Sequence, residues 1–332
     1  MRIAVIGAGA FGTALASLLA HKHHEVRLWA REPELIPAIN AAHENALYLA
    51  GIALPPSLAA VGALDEAVAG AELVLLAVPS HFLRDLAGKL APSLPPHIPI
   101  VTVAKGIENG TLLTMSEVLE DVLPVERHPY IAIVSGPSFA REVAEGQPTS
   151  VTVAARWERI ARSVQTALST DMFRVYTSVD LIGVQYGGAL KNVIAIAAGA
   201  AEGLGFGFNA RAALITRGLA EITRAAVQRG ANPMTLSGLS GMGDLVLTCT
   251  GTLSRNRELG VAIGQGKSLE ELQKNRLSVV EGVFTAKSAC QLADKYDIDM
   301  PISRGVHRVL FEGQSPRAAM EELLSRALKS EF

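Results

Sequence analysis

The chain has 332 residues, of which 49% are hydrophobic and 19% are charged, and its formal net charge is −2. This apolar, near-neutral composition argues against disorder and, without a Lys/Arg-rich run, gives no electrostatic footprint for nucleic acid or an anionic membrane surface. The length exceeds that at which single cores usually stop growing. We therefore expect two domains, residues 1–180 and 181–332.

The start of the chain and its cysteines indicate a cytoplasmic protein with no membrane insertion. The sequence begins MRIAVIGAG, where glycines interrupt the apolar run too early for a signal peptide or a spanning helix. Cys249 and Cys290 lack metal-ligand spacing and fit a reducing compartment better than a disulfide framework. His21, His23 and His24 cluster without an acidic or cysteine partner at ligand spacing, so we interpret them as a solvated turn and predict no metal.

Strand and helix patterns alternate over the first 180 residues. Short apolar and β-branched runs predict strands at residues 2–6, 25–31, 71–80, 99–106, 130–138 and 150–155. Helical patterns lie between several of these strands. The alternation predicts an α/β fold with a Rossmann-like, doubly wound parallel sheet.

A glycine-rich turn follows the first predicted strand. Gly7, Gly9 and Gly12 form a G-x-G-x-x-G motif between a strand and a helix, the context in which this otherwise weak motif indicates dinucleotide binding. Gly7 would make the tight turn, Gly9 would let the backbone approach a pyrophosphate, and Gly12 would let the helix pack on the strand. The helix N-terminus offers N–H groups to phosphates. The alternative is a structural turn that merely requires glycines.

The end of the second predicted strand bears on which dinucleotide binds. Arg31 lies there, followed by Glu32. Arg31 can pair with the 2′-phosphate of NADP(H), whereas Glu32 keeps NAD(H) open as a cofactor. The alternative is a solvated Arg–Glu pair in a loop.

Two further strand ends carry polar groups, at the edge where an open α/β sheet binds ligands. Lys105 follows an apolar strand, and we expect it to bind an anionic or carbonyl substrate rather than to be a solvated loop lysine. Gly136, Pro137 and Ser138 predict a tight turn that exposes N–H groups and a hydroxyl for binding. The same three residues also fit a turn with no other role.

Beyond Asp180 the patterns are helical, which predicts an all-α second domain. The predicted helices cover residues 181–202, 209–230, 257–265, 268–274, 284–295, 302–312 and 315–328. Ser315 and Pro316 have the positions of a cap and a first-turn residue. The Gly/Ala-rich composition suits either a homodimer interface or the domain's own core, and the sequence does not distinguish the two.

The stretch GGALKNVIAIAAGAAEG sets Lys191 in an apolar helix, where an unpaired charge is costly. Gly187, Gly188 and Ala195 share its face by helical spacing, so a ligand or the first domain can approach closely. A desolvated lysine releases its proton more readily and suits a base that takes a proton from an alcohol during hydride transfer. The alternatives are a lysine that reaches solvent, or a plain ion pair with Asp244.

The most polar piece of the second half runs over residues 241–260. A Gly-rich turn and Asp244 lie there, and Ser254, Arg255 and Asn256 precede a helix. Ser254 can cap that helix while Arg255 and the free N–H groups bind a phosphate monoester. Ordinary helix capping accounts for these residues equally well.

Distinctive blocks extend over essentially the whole chain: GAGAFGTALA, VPSH, AKG, SGPSFA, GGALKNVIAIAAG, NARAALITRGLAE, GMGDLVLTCT, SRNRELG and VVEGV. Together they resemble the bacterial NAD(P)-dependent glycerol-3-phosphate dehydrogenases. The lysine-bearing helix and the GDLVLTCT–SRNR pair are specific to that family rather than to Rossmann proteins in general.

The resemblance implies a cytoplasmic enzyme that reversibly reduces dihydroxyacetone phosphate to sn-glycerol 3-phosphate for phospholipid synthesis. NADP(H) or NAD(H) would be the cofactor, and the catalytic residues would be Lys191 as proton donor and acceptor, Lys105 and Asp244. Substrate contacts would come from Lys105, Gly136, Ser138, Lys191, Asp244, Ser254, Arg255 and Asn256. Cofactor contacts would come from Gly7, Gly9, Ala10, Phe11, Gly12, Arg31, Lys105, Ala140, Arg255, Val279 and Glu281.

One position departs from the family pattern. Ala10 stands where many relatives have Ser. The change removes a hydroxyl that can contact the pyrophosphate, while the backbone groups of the turn are retained.

Two other function classes also fit part of the sequence. A two-domain dehydrogenase with a helical second half could act on a 3-hydroxy acid or a ketopantoate-like substrate, but SRNR beside GDLVLTCT argues against it. A dinucleotide-sensing protein without turnover has no need for a lone lysine in a Gly/Ala-rich helix, so it is disfavoured.

Overall fold

The computed structural model describes residues 1–274, 280–328 and 330–331. The chain divides into two compact units, one of residues 1–108 and 113–185 and the other of residues 109–112 and 186–332. The division falls within the helix Leu181–Gly203.

The first unit is built on an 8-stranded sheet, and all of its residues are described. The strands are β1 (Arg2–Ile6), β2 (Glu25–Trp29), β3 (Ala59–Val61), β4 (Leu73–Leu76), β5 (Ile100–Thr102), β6 (Ile131–Ser135), β7 (Thr149–Ala155) and β8 (Phe173–Ser178). Their order in the sheet is β3-β2-β1-β4-β5-β6-β7-β8. From β1 the chain adds β2 and β3 on one side of the sheet and then β4 and the later strands on the other side, so the strand order reverses at β1. Open α/β sheets bind ligands at such a point of reversal.

Helices separate and follow these strands. Those up to the end of the first unit are α1 (Ala10–His21), α2 (Leu35–Pro37), α3 (Leu64–Val68), α4 (Leu83–Leu90), α5 (Met115–Val122), α6 (Ala140–Ala144), α7 (Glu158–Leu168) and the first residues of α8 (Leu181–Gly203). Short 3₁₀ or π turns occur at Ala38–Ala42, Ser80–Phe82, Ala91–Ser93 and Val125–Tyr130.

Both faces of the sheet are buried, because successive strand residues point to opposite sides. Ile3 and Val5 of β1 pack in a core layer with α1 and α7. Ala4 and Ile6 pack in the opposite layer with α4 and α5. This two-layer burial explains why β1 reads as a continuous apolar run, and the predicted Rossmann-like fold is confirmed.

The sheet departs from a fully parallel one at a single pair, since β7 runs antiparallel to β6. The connection between them contains only the five-residue helix α6. β7 therefore starts at the edge where β6 ends.

Two strands were not predicted from the sequence. β3 has three residues, two of them alanine, and pairs only with β2. β8 pairs with β7 alone and buries Phe173 and Val175 while Arg174 and Tyr176 are exposed. Such alternation is typical of an edge strand with one solvated face.

The described residues of the second unit are helical and form no strand, as predicted. After α8 come α9 (Phe208–Gln228), α10 (Pro233–Leu236), α11 (Asp244–Thr250), α12 (Arg255–Gly264), α13 (Leu269–Gln273), α14 (Glu281–Lys295), α15 (Pro301–Phe311) and α16 (Pro316–Leu324), with a π turn at Leu239–Gly243. The predicted cap is confirmed at Ser315, whose side chain accepts a hydrogen bond from the Ala318 N–H, with Pro316 in the first turn.

The sequence predicted no helix between residues 231 and 256, whereas α10 and α11 lie there. The run LVLTCT combines two leucines, which are good helix formers, with Val, Thr and Cys, which have lower helix propensity. Packing decides this mixed propensity in favour of a helix, because Leu245, Thr248 and Cys249 are buried.

Among the described helices, α8 alone has the length and apolarity of a membrane span, with a mean hydropathy of 1.3 in its best window. However, 89% of that window is buried inside the protein, as in the core helix of a globular fold.

A buried carboxylate joins α9 to the start of α15. Glu221 is 1% exposed and accepts hydrogen bonds from the N–H of Ile302 at 2.5 Å, and from the N–H and hydroxyl of Ser303 at 3.1 and 3.0 Å. These donors include N–H groups at a helix N-terminus, which would otherwise lack partners. Burial raises the pKa of Glu221 to about 7, although the three hydrogen bonds oppose the shift.

We predict that Glu221 makes the protein less stable as the pH rises. Since its pKa is higher in the folded protein than its ordinary 4.5, its contribution to stability is fully present below pH 4.5 and is lost as pH rises through about 7. Thermal unfolding of wild type should show this loss, up to about 3 kcal/mol, and Glu221→Gln should not. The exposed Glu126→Gln is the control, and an unchanged pH profile in Glu221→Gln would contradict the prediction.

Candidate functional site

In the first unit, the glycine-rich turn joins β1 to α1. Gly7 has φ +119°, and a Cβ there would lie 2.6 Å from the Ala77 carbonyl oxygen. A Cβ on Gly12 would lie 1.9 Å from the Gly7 oxygen, so both positions require glycine. Gly9 is the N-cap of α1, followed by Ala10 and Phe11 in the first turn.

The turn also fits a dinucleotide. A Cβ on Gly9 would have no atom of the described residues within 4 Å, so these residues leave space open in front of the backbone. Within the described part of the chain, no side chain caps the N-terminus of α1, and its first N–H groups face that space. Open space beside uncapped N–H groups is what a pyrophosphate requires.

Arg31 lies two residues beyond β2 and forms an ion pair with Glu32. Its Nη2 atom is 2.6 Å from Glu32 Oε1, and its guanidinium lies 5.8 Å from the centre of the Phe82 ring. The solvated Arg–Glu pair considered as an alternative is therefore present. The Arg31 side chain remains 65% exposed, so the pair does not prevent a ligand from reaching it.

The ends of β5 and β6 bring together Lys105, Gly136 and Ser138. Lys105 Nζ donates to the Gly136 carbonyl at 3.0 Å, and the Ser138 hydroxyl donates to the same oxygen at 3.0 Å. Gly136 has φ +143°, and a Cβ there would lie 2.9 Å from Val151 Cα, so this turn also requires glycine. The Lys105 ammonium and the Ser138 hydroxyl thus meet at the Gly136 carbonyl oxygen, at the carboxyl ends of neighbouring strands. Ala140 is the first residue of α6, which packs on α1.

In the second unit, Lys191 is held in a buried polar cluster. The ammonium is hydrogen-bonded to the Asp244 carboxylate and donates to the Thr248 hydroxyl at 2.7 Å, which in turn donates to the Asp244 carbonyl at 2.6 Å. The side chains of Lys191 and Asp244 are 8% and 1% exposed. The lysine therefore does not reach solvent, and a carboxylate compensates its charge.

The neighbouring Cys249 is not a candidate nucleophile. Burial raises the pKa of its thiol to about 12, so the thiolate is negligible at neutral pH.

A second buried network joins three helices beside this cluster. Asn256 Nδ2 donates to Asn192 Oδ1 at 2.9 Å, and Asn256 Oδ1 accepts from the Gly282 N–H at 3.0 Å. Glu281 is the first residue of α14, next to this contact. Val279 lies outside the described residues.

Ser254 caps α12, as predicted, by accepting from the Arg257 N–H at 3.2 Å. The helix starts at Arg255, two residues earlier than expected, so Arg255 and Asn256 belong to its first turn. Arg255 is exposed at this N-terminus while Asn256 is buried. An exposed guanidinium beside a helix N-terminus is suited to a phosphate.

Glycines set how closely α12 approaches α8. A Cβ on Gly199 would lie 2.1 Å from the Arg257 carbonyl oxygen, and one on Gly260 would lie 2.2 Å from that of Ile196. The two helices therefore contact backbone to backbone, which fixes α12 relative to the lysine-bearing helix. Gly187 is similarly close to the Ser240 carbonyl, so the open face predicted beside Lys191 is filled by the π turn.

Sequence reasoning missed Thr248, Asn192, Asn45 and Tyr48. Thr248 lies four residues after Asp244, on the same helical face. Asn192 is a second polar residue in the apolar lysine helix. Asn45 and Tyr48 lie in an irregular segment without a periodic hydrophobic pattern.

Comparison with known proteins gives matches over nearly the whole chain. The family model described as NAD-dependent glycerol-3-phosphate dehydrogenase N-terminus matches residues 2–161, and the C-terminus model of the same family matches residues 180–321. The chain is 58% identical over 332 residues to the NAD(P)+ glycerol-3-phosphate dehydrogenase of Myxococcus xanthus strain DK1622, covering 100% of this chain and 99% of that protein. It is 55% identical to the enzyme of the same name from Anaeromyxobacter sp. strain K, covering 100% of both.

A solved structure is also similar. The crystal structure of glycerol-3-phosphate dehydrogenase from Coxiella burnetii superposes with a TM-score of 0.92 at 39% identity, covering 98% of this chain and 99% of that one.

We predict that Gly260→Ala destabilises the protein by about 3 kcal/mol, because its Cβ would collide with the backbone of α8. Gly305→Ala is a matched control within α15, since Ala319 Cβ at 3.9 Å is the one atom that its Cβ would meet among the residues that the structure describes. Replacing a helical glycine there should be neutral or stabilising by up to about 1 kcal/mol. Urea unfolding of both variants measures the difference, and equal stabilities would contradict the close helix contact.

Proposed function

The chain belongs to the NAD-dependent glycerol-3-phosphate dehydrogenase family, and we propose that it catalyses the reversible reduction of dihydroxyacetone phosphate to sn-glycerol 3-phosphate. The observation that carries the proposal is the buried Lys191–Asp244 pair in a unit whose α12 presents Arg255 at its N-terminus. The family's activity needs a proton donor and a phosphate site, and these residues have the chemistry for both. We further propose a cytoplasmic enzyme whose product enters phospholipid synthesis.

Residues 1–180 are proposed as the dinucleotide-binding domain. Bound NADPH or NADH supplies the hydride. The backbone of Gly7, Gly9, Ala10, Phe11 and Gly12 would bind the pyrophosphate, since an uncapped helix N-terminus meets open space there. Elsewhere in this domain we propose side-chain and backbone contacts to the cofactor from Arg31, Lys105 and Ala140. In the rest of the chain we propose cofactor contacts from Arg255, Val279 and Glu281.

Residues 181–332 are proposed as the substrate and catalytic domain. Arg255, Ser254 and Asn256 would bind the substrate phosphate, because a guanidinium and a helix N-terminus both favour an anion. Binding the phosphate fixes the substrate away from its reacting carbon and so favours one orientation for reaction. Lys105, Gly136 and Ser138 are proposed as further substrate contacts.

Lys191 is proposed to transfer the proton. In the reductive direction its ammonium donates a proton to the oxygen that develops negative charge on the substrate carbonyl. In the oxidative direction the neutral amine takes the proton from the hydroxyl. Asp244 and Thr248 hold the Nζ atom in one place, so the group is oriented before the substrate arrives.

A direct assay tests the proposal. Purified protein should oxidise NADPH or NADH, followed at the absorbance of the reduced nicotinamide, when dihydroxyacetone phosphate is added. Unphosphorylated dihydroxyacetone and ketopantoate are the matched comparison substrates. Equal rates with ketopantoate would favour the other two-domain dehydrogenases, and binding without oxidation would favour a sensor.

We predict that Lys191→Ala lowers kcat by roughly 10²- to 10⁴-fold with cofactor affinity largely retained. The change leaves Asp244 buried without its ammonium, so thermal stability should also fall. Cofactor binding, measured by fluorescence titration, shows whether the variant is folded. The exposed Lys267→Ala is the control. A folded Lys191→Ala protein with wild-type kcat would refute the assignment.

We predict that Arg255→Ala raises KM for dihydroxyacetone phosphate by about 10- to 100-fold, the usual range for a lost charged hydrogen bond. KM for unphosphorylated dihydroxyacetone should change little. Arg317→Ala removes an exposed arginine from the first turn of α16 and serves as a matched control. An equal rise in KM for both substrates would contradict a role in phosphate binding.

A further inference from the structure

Three side chains meet just beyond the end of β2. Glu32 Oε1 accepts from Arg31 Nε at 3.1 Å and Nη2 at 2.6 Å, and from the Tyr48 hydroxyl at 3.2 Å. Tyr48 belongs to a distant segment, sixteen residues further along the chain. One carboxylate oxygen therefore has a cationic and a neutral hydrogen-bond donor.

The three groups differ in what they present to solvent. The Arg31 side chain is 65% exposed, whereas that of Glu32 is 19% exposed. The Phe82 ring lies against the guanidinium. A ligand approaching the end of β2 therefore meets the cation first, with the carboxylate set behind it.

Tyr48 is itself firmly placed by the glycine-rich turn. Asn45 is fully buried, and its Nδ2 donates to the Ala8 carbonyl and to the Thr13 hydroxyl, each at 2.8 Å. Asn45 Oδ1 accepts from the Tyr48 N–H at 3.2 Å. The segment carrying Tyr48 is thus fixed to the β1–α1 turn, and from there the Tyr48 hydroxyl reaches Glu32 Oε1.

We propose that Tyr48 is a positioning residue that favours NADPH over NADH by holding the Glu32 carboxylate behind Arg31. The inference rests on the proposed function, because it concerns cofactor choice by the same site. When a 2′-phosphate engages Arg31, Glu32 loses its cationic partner and Tyr48 remains as its donor. The carboxylate is then kept back from the phosphate, which it would otherwise repel.

The 2′-hydroxyl of NADH has no charge to repel. A released Glu32 would be neutral toward NADH or would accept a hydrogen bond from its ribose, as acidic residues at this strand end do in NAD enzymes. The Tyr48 hydroxyl should therefore affect the two cofactors differently, which a purely structural role would not.

Isothermal titration calorimetry of the full chain with NADPH and with NADH tests the proposal. Tyr48→Phe should weaken NADPH binding about fivefold, as expected for a lost hydrogen bond to a charged group at a partly buried site, and leave NADH binding unchanged or tighter. Glu32→Gln should bind NADPH more tightly than wild type. In the Glu32→Gln background, Tyr48→Phe should change the ratio of the two dissociation constants less than twofold.

Tyr130→Phe is the matched control. It removes a tyrosine hydroxyl that pairs with His97, before the start of β6 and so at the opposite edge of the sheet, and should leave the ratio unchanged. Equal weakening of both cofactors by Tyr48→Phe would overturn the proposal, as would the same shift in the Glu32→Gln background.

The titrations also separate this inference from the proposed function. A wild-type chain that binds both cofactors but oxidises neither with dihydroxyacetone phosphate would refute the activity. The change in binding ratio on Tyr48→Phe would still decide the role of Tyr48.

Discussion

The buried ammonium of Lys191 is the constraint on which the second unit depends. A charge removed from water needs a counter-charge and hydrogen-bond acceptors around it, or it destabilises the fold. Asp244 and Thr248 supply them from α11, and this helix reaches α8 because Gly187 lets the Ser240 backbone approach. The same lysine is the proposed proton donor, so one arrangement both stabilises the charge and orients it for reaction.

Polar groups in the first unit collect where strands end. The β1–α1 turn, Arg31 beyond β2, and the Lys105–Gly136–Ser138 cluster all follow the carboxyl ends of parallel strands. Because those ends share one edge of the sheet, residues far apart in sequence become neighbours. Tyr48 is brought to the same place by a hydrogen bond. Asn45 binds the Ala8 carbonyl of the glycine-rich turn, and the irregular segment that it holds there places the Tyr48 hydroxyl at Glu32.

Prediction from the sequence succeeded where local patterns are strong and failed where tertiary contacts decide. The Rossmann-like sheet, the helical second half, and the caps at Ser254 and Ser315 followed from periodicity and capping chemistry. The short edge strand β3 and the helix α11 were missed, because β3 is mostly alanine, α11 mixes leucine with Val, Thr and Cys, and the structure of both comes from pairing and burial. The antiparallel direction of β7 was missed, because it is set by pairing with β6 and leaves no pattern within the strand itself.

The sequence by itself determined the class of fold, the glycine-rich turn and the family, since each rests on residues close together in the chain or on blocks read in order. Only the tertiary structure decided the partners of Lys191, the three-way contact at Glu32, and the backbone contact of Gly199 and Gly260 with the facing helix. The physical reason is that burial and hydrogen bonding act between groups brought together by folding. Thr248 and Tyr48 therefore show their roles only once the helices and strands are packed.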